Sequence, residues 1–105
     1  MAKYEVKDGV GIIPAGVKEI ENEAFKGCTE LTSITFPKGV KKIGEEAFAG
    51  CTGLVSVAIP KSVTSIGNDA FEGCSSLTSI TIPTHITNID KLGVPEETRI
   101  IRENV

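Results

Sequence analysis

Aromatic side chains are scarce in this chain: four Phe, one Tyr and no Trp among 105 residues. Any core must therefore be filled by Val, Ile, Leu and Phe packed in register. Arginine is scarcer still, present only as Arg99 and Arg102, and the net charge is −3. A nucleic-acid-binding domain would show a basic stripe, so that class of partner is excluded. No apolar run nears the roughly 20 residues that a membrane-spanning helix needs. The opening MAKYEVKDG holds no apolar stretch and does not read as a signal peptide. Two origins fit that opening: a cytoplasmic protein, or a piece cut from a secreted one, for which Met1-Ala2 would be the added start.

Catalytic machinery is equally thin. A nucleophile, a base and an orienting group must meet in one place, and the only histidine is His85. It follows a proline in the position of Gly39 and Ser62, and reads as an exposed turn residue. Neither a glycine-rich phosphate loop nor an H-E-x-x-H pair occurs. The expectation is a non-enzymatic chain with no cofactor and no metal.

What the sequence does have is a period. Prolines fall at 14, 37, 60 and 83, Ala-Phe pairs at 24–25, 47–48 and 70–71, and Gly-Cys pairs at 27–28, 50–51 and 73–74. The spacing is 23 residues throughout, and the second and third units share 12 of their 23 positions. A fixed period in this range means a solenoid whose units pack on their neighbours. One domain of 1–105 results: a cap at 1–13, full repeats at 14–36, 37–59 and 60–82, and a degenerate repeat with a strand cap at 83–105.

Each unit carries L-x-x-I-x-I, with Leu31, Leu54 and Leu77 in one column. Ile34, Val57 and Ile80 follow, then Phe36, Ile59 and Ile82. The alternation and the Thr, Ser and Val around it predict a short strand, ended by the proline that cannot donate to a ladder. The pairs Val17/Ile20, Val40/Ile43, Val63/Ile66 and Ile86/Ile89 predict a second extended stretch on the opposite side of the coil. The segment EEAFAGC and its counterparts predict a single helical turn. It is closed by Gly27, Gly50 or Gly73 in the left-handed conformation. The small Ala lets coils approach, and the Phe column forms an internal stacked spine. Glu19, Glu21, Glu23, Glu45, Glu46 and Asp69 precede these turns, where carboxylates suit a helix dipole. Lys38, Lys41, Lys42 and Lys61 form a modest solubilising strip.

Cys28, Cys51 and Cys74 share a column. Their count is odd and their spacing matches no zinc pattern, so they read as small buried side chains with reduced thiols. Asp8-Gly9, set between Tyr4/Val6 and Val10/Ile12, is a two-residue hairpin signal. It predicts a β-hairpin cap at 3–13 whose second arm is the first strand of the sheet. At the other end Gly93-Val94 replaces Ala-Phe and Glu96-Glu97 replaces Gly-Cys, while Ile100 falls on the leucine column and Val105 on that of Phe36. The tail TRIIRENV is expected as a final parallel strand, its edge blunted by Arg99, Arg102 and Glu103.

The LTSITFP-like strands, the V-x-x-I-G step and the A-F-x-G-C turn resemble the BspA-type leucine-rich repeat over about residues 14–92. The resemblance implies an α+β repeat solenoid, a right-handed coil with a parallel concave sheet and short helical turns. It also implies protein or host-surface binding rather than catalysis, at a secreted or cell-surface location. The binding positions would be the solvent-facing ones of the concave sheet: Thr32, Ser33, Thr35, Val55, Ser56, Ala58, Thr78, Ser79 and Thr81. They are small, and they lack the Trp, Tyr and Arg that anchor most interfaces, so one copy should bind weakly and depend on tandem copies. The alternative is a structural or designed scaffold with no ligand, self-associating through its end strands. A monomer is favoured over that self-association. The regularity of the units also suits an engineered or excised chain.

Overall fold

The computed structural model describes residues 4–103. The chain is a coil of about four turns whose elements are all strands: β1 Glu5–Lys7, β2 Val10–Ile12, β3 Glu19–Ile20, β4 Ser33–Thr35, β5 Lys42–Ile43, β6 Ser56–Ala58, β7 Ser65–Ile66, β8 Ser79–Pro83 and β9 Arg99–Glu103.

The N-terminal hairpin forms as the sequence predicts. β1 and β2 run antiparallel with Lys7 opposite Val10. Asp8 and Gly9 both take positive φ, 51° and 82°, as a twist-matched two-residue turn requires. β2 then pairs in parallel with β4, so the hairpin starts the sheet. Lys3 lies outside the described residues.

Two ladders run along the coil. β3, β5 and β7 stack in parallel on one side, through the Ile20, Ile43 and Ile66 column. The fourth member of this series, around Ile86 and Ile89, forms no strand. The L-x-x-I-x-I side does not form one continuous sheet. It divides into β1-β2-β4 and β6-β8-β9. Between β4 and β6 the Val55 N–H reaches the Thr32 carbonyl at 3.2 Å, and no ladder follows.

The A-F-x-G-C segments are not helical, and no helix occurs among the described residues, so the α+β expectation gives way to an all-strand solenoid. Alternate N–H groups explain why. Those of Glu23, Phe25 and Gly27 donate sideways to the next coil, to the carbonyls of Glu45, Ala47 and Ala49 at 2.7–2.9 Å. Those of Ala24, Lys26 and Cys28 close local turns three residues back at 3.0–3.2 Å. A helix would need every donor for itself. Instead the segment is a chain of tight turns hydrogen-bonded between coils.

Gly27, Gly50 and Gly73 take φ of 75°, 74° and 76°, as expected. Glu23, Glu46 and Asp69 also do so, at 62°, 55° and 57°. These acidic residues therefore sit at left-handed turn positions rather than at a helix start.

The core is the column structure predicted. Phe25, Phe48 and Phe71 are fully buried and stack with centroids 5.3 and 5.4 Å apart at interplanar angles of 7° and 3°. Ala24, Ala47 and Ala70 are completely buried beside them.

The last coil departs from its expected register. Ile100 pairs with Ile80 and Arg102 with Ile82, an offset of 20 residues instead of 23. The slip begins early: the Phe71 N–H bonds the Leu92 carbonyl, where Phe48 bonds that of Ala70. Ile100 thus belongs to the Ile34 column, not the leucine one, and Arg102 occupies the column of Phe36, Ile59 and Ile82. Its guanidinium donates to the carbonyls of Pro83, Thr84 and Ile86, at the start of the same last coil that ends in β9. Val105 lies outside the described residues.

Candidate binding face

Along β4, β6 and β8 the side chains alternate. Ile34, Val57 and Ile80 point to the core, and the residues on either side point away. The parallel register aligns Ser56 with Ser79 and Ala58 with Thr81, and Ser33 and Thr35 with Val10 and Ile12 of the hairpin. The six strand positions named from the sequence therefore share one face, with Thr32, Val55 and Thr78 at the strand entrances. Thr32, Thr35, Val55, Ser56, Ala58 and Thr78 are exposed, while Ser33, Ser79 and Thr81 are half-buried.

Two of these hydroxyls are already engaged. Thr32 Oγ1 donates to the Gly9 carbonyl and Thr78 Oγ1 to the Val55 carbonyl, each at 3.1 Å, joining one coil to the one before. Val55 stands in the same column with no hydroxyl and leaves its side chain 47% exposed.

Ile12, 41% exposed, was not legible as part of this face. The hairpin alternation placed it in a strand, but only the β2–β4 register puts it beside Thr35. Two of the three exposed large apolar side chains of the described residues, Ile12 and Val55, thus lie here. Where the sheet divides, a cleft of about 550 Å³ opens, lined by Ile34, Thr35, Phe36, Ala58, Ile59, Pro60, Lys61 and Glu103. Phe36 fills a column held by isoleucine in the next two repeats. It packs edge-on against Phe48 at 6.1 Å, and a larger ring in that column is a physical reason for the local separation.

The remaining candidates have structural surroundings. Cys51 and Cys74 are buried, and their thiols donate to the carbonyls of Phe25 and Phe48 at 3.1 Å. Burial pushes the Cys51 thiol up to about 12 and that of Cys74 to about 11, so neither is a nucleophile at neutral pH. Cys28 is free and only half-buried. His85 is exposed, with Nε2 2.8 Å from the Val63 carbonyl, one coil beyond the bond from Ser62 Oγ to the Val40 carbonyl at 2.6 Å. Lys26 bridges Glu23 and Glu46 at 3.5 and 2.6 Å, which raises its pKa, chiefly through the Glu46 hydrogen bond. No group of three metal-ligating side chains assembles among the described residues, and they hold no helix long and apolar enough to cross a membrane.

Residues 11–98 match the family model described as a BspA-type leucine-rich repeat region. The chain belongs to the BspA-type leucine-rich repeat family. Solved bacterial structures share the coil. A leucine-rich repeat protein from T. pallidum superposes with a TM-score of 0.70 at 31% identity over 84% of this chain and 47% of its own. One from Bacteroides ovatus gives 0.69 at 25% identity, covering 84% and 29%. A leucine-rich cell surface protein from Faecalibacterium prausnitzii gives 0.67 at 28% identity, covering 94% and 33%. This repeat chain thus spans less than half the length of each of these relatives. No curated protein matches it.

Proposed function

We propose that this chain is a non-enzymatic protein-binding module of the adhesin type, which takes an extracellular protein on the outward face of β4, β6 and β8. The observation that supports this most is the concentration of exposed apolar surface on that face. Ile12 and Val55 stand among small, uncharged Ser, Thr and Ala side chains. Leucine-rich repeat folds of this kind generally mediate protein interactions, and the F. prausnitzii relative is a cell surface protein. A surface or secreted location is part of this reading. The face offers no Trp, Tyr or Arg among its nine positions, so each copy holds its partner weakly.

The test is a binding screen by biolayer interferometry against a panel of purified extracellular host proteins, followed by Ser56→Arg. Ser56 is exposed on β6 and, unlike Thr32 and Thr78, its hydroxyl joins no neighbouring coil among the described residues, so the variant keeps its melting temperature. Capture of any bound partner should fall at least tenfold. Capture that survives Ser56→Arg undiminished removes this face from the reading, as does a panel with no binder at all. Thr78→Arg is the weaker probe, because it also breaks the bond to the Val55 carbonyl.

A further inference from the structure

β9 is the edge of its sheet: it pairs with β8, and no described strand lies on its other side. It is also five residues long, against three for the outer strand β1 at the opposite end. A row of unpaired backbone donors and acceptors of that length is a template for another strand. The charges on it are arranged for a copy of itself. Arg99, Ile101 and Glu103 alternate on one face of β9, with Ile100 and Arg102 on the other.

Consider two β9 strands meeting antiparallel about a twofold axis. Centred on Ile100, they place Arg99 opposite Ile101. Centred on Arg102, they set the two guanidinium groups against each other. Centred on Ile101, they bring Arg99 of each copy opposite Glu103 of the other, twice, around a central Ile101 pair. Opposite charges directly across a strand pair are favourable and like charges are not, so one register stands out. Arg99 and Glu103 are both exposed and form no ion pair with any described residue. Arg102 is committed to carbonyls within its own copy. Ile100, 38% exposed at the open end of the coil, would lie against the stem of the other copy's Arg102.

We propose that two copies of this chain associate through β9 in the register centred on Ile101. The result is a six-stranded sheet, β6-β8-β9 continued by its twofold mate. A five-residue edge buries far less than a standard stable interface, so the dimer forms only at high protein concentration. Its consequence is valency: two outward faces are displayed together, which raises the avidity of a face whose single-copy contacts are weak.

Sedimentation equilibrium over a concentration series tests this, with Arg99→Glu, Glu103→Arg and the double swap R99E/E103R. Wild type should show a monomer–dimer equilibrium that weakens with added salt. Each single reversal should weaken dimerisation about tenfold, because it sets like charges across both pairs, and the double swap should restore it. The substituted side chains are exposed, so circular dichroism and melting temperature serve to confirm that all variants fold. Hydrogen exchange gives an independent readout, in which the Ile100 and Arg102 amides, turned away from β8, gain protection as concentration rises. A monomer at every concentration overturns the proposal. So does a dimer indifferent to all three variants, or one that the double swap fails to rescue. None of these outcomes depends on whether the face binds a foreign protein.

Discussion

Gly67 shows how a residue acts when two coils come within touching distance. A Cβ added there would lie 2.5 Å from the Glu45 nitrogen and 2.7 Å from the Gly44 carbonyl carbon. Both are backbone atoms that cannot swing away. Its φ is ordinary, so the glycine is needed for closeness and not for turn geometry. Gly67→Ala should therefore cost about 1–3 kcal/mol, the range for an overpacked site, with a drop in melting temperature of several degrees. Gly27→Ala is the contrast: φ is 75° with nothing within 4 Å of the new methyl. It should cost about 1 kcal/mol from the left-handed backbone alone. If the two variants melt together, close packing at Gly67 is not what fixes the coil spacing. The thiols give a second residue-scale test. In the folded chain Cys51 and Cys74 ionise near 12 and 11, whereas in the unfolded chain they ionise near the usual 8.5. The unfolded state thus binds fewer protons between those values. These groups favour the fold fully below about pH 8.5, and their contribution is lost as pH climbs towards 11 and 12. Denaturant midpoints measured from pH 8 to 10.5 should fall in wild type, and fall less in Cys51→Ala. A disulfide reagent at pH 8 should label Cys28 alone until denaturant is added.

At the level of elements, the Asp8-Gly9 pair was enough to place the hairpin, and the 23-residue period to place the two strand series and the phenylalanine column. Each rests on apolar alternation or a turn pair that any chain must obey. The A-F-x-G-C turn was misjudged for a specific reason. A helix and a run of stacked tight turns both bury Ala and Phe and both end on a left-handed glycine. They differ in where alternate N–H groups go, and the acceptors lie one coil away. The φ values of Glu23, Glu46 and Asp69 follow from that choice, and glutamate gives no hint of them. The spine itself is testable. Phe48 is sandwiched between Phe25 and Phe71 and touched edge-on by Phe36, so Phe48→Ala removes a ring with neighbours on every side. It should cost about 3–5 kcal/mol, read as a shift of the urea midpoint with unchanged slope. A loss below about 1 kcal/mol would mean the ring is not part of the core.

Across the whole molecule each coil leans on its neighbours, and the ends bear what a missing neighbour would supply. The candidate face was readable only in so far as it follows the repeat. Its strand positions recur every 23 residues in the sequence, and β6 and β8 keep that offset in their pairing. The parts that break the repeat were not readable: Ile12 joining from the hairpin, the division of the sheet beside Phe36, and the last coil shortened to an offset of 20. That shortening moves Arg102 into a column otherwise filled by Phe36, Ile59 and Ile82. There it turns its guanidinium to the carbonyls of Pro83, Thr84 and Ile86. An apolar residue in its place would offer those carbonyls no charged donor, so Arg102→Met keeps the volume and removes the bonds. Hydrogen bonds from a charged donor are worth about 1.5–3 kcal/mol, at the low end where water competes. The loss should not spread evenly. In a solenoid stability is summed from each unit and its interfaces, so weakening the terminal interface frees the last coil before the rest. Native-state hydrogen exchange of Arg102→Met should therefore show faster exchange at Ile86, Phe71 and the β8–β9 amides, whereas Phe25 and Gly27 keep their wild-type rates. Uniform acceleration along the chain would mean that the coils unfold as one unit and that Arg102 has no local role as a cap.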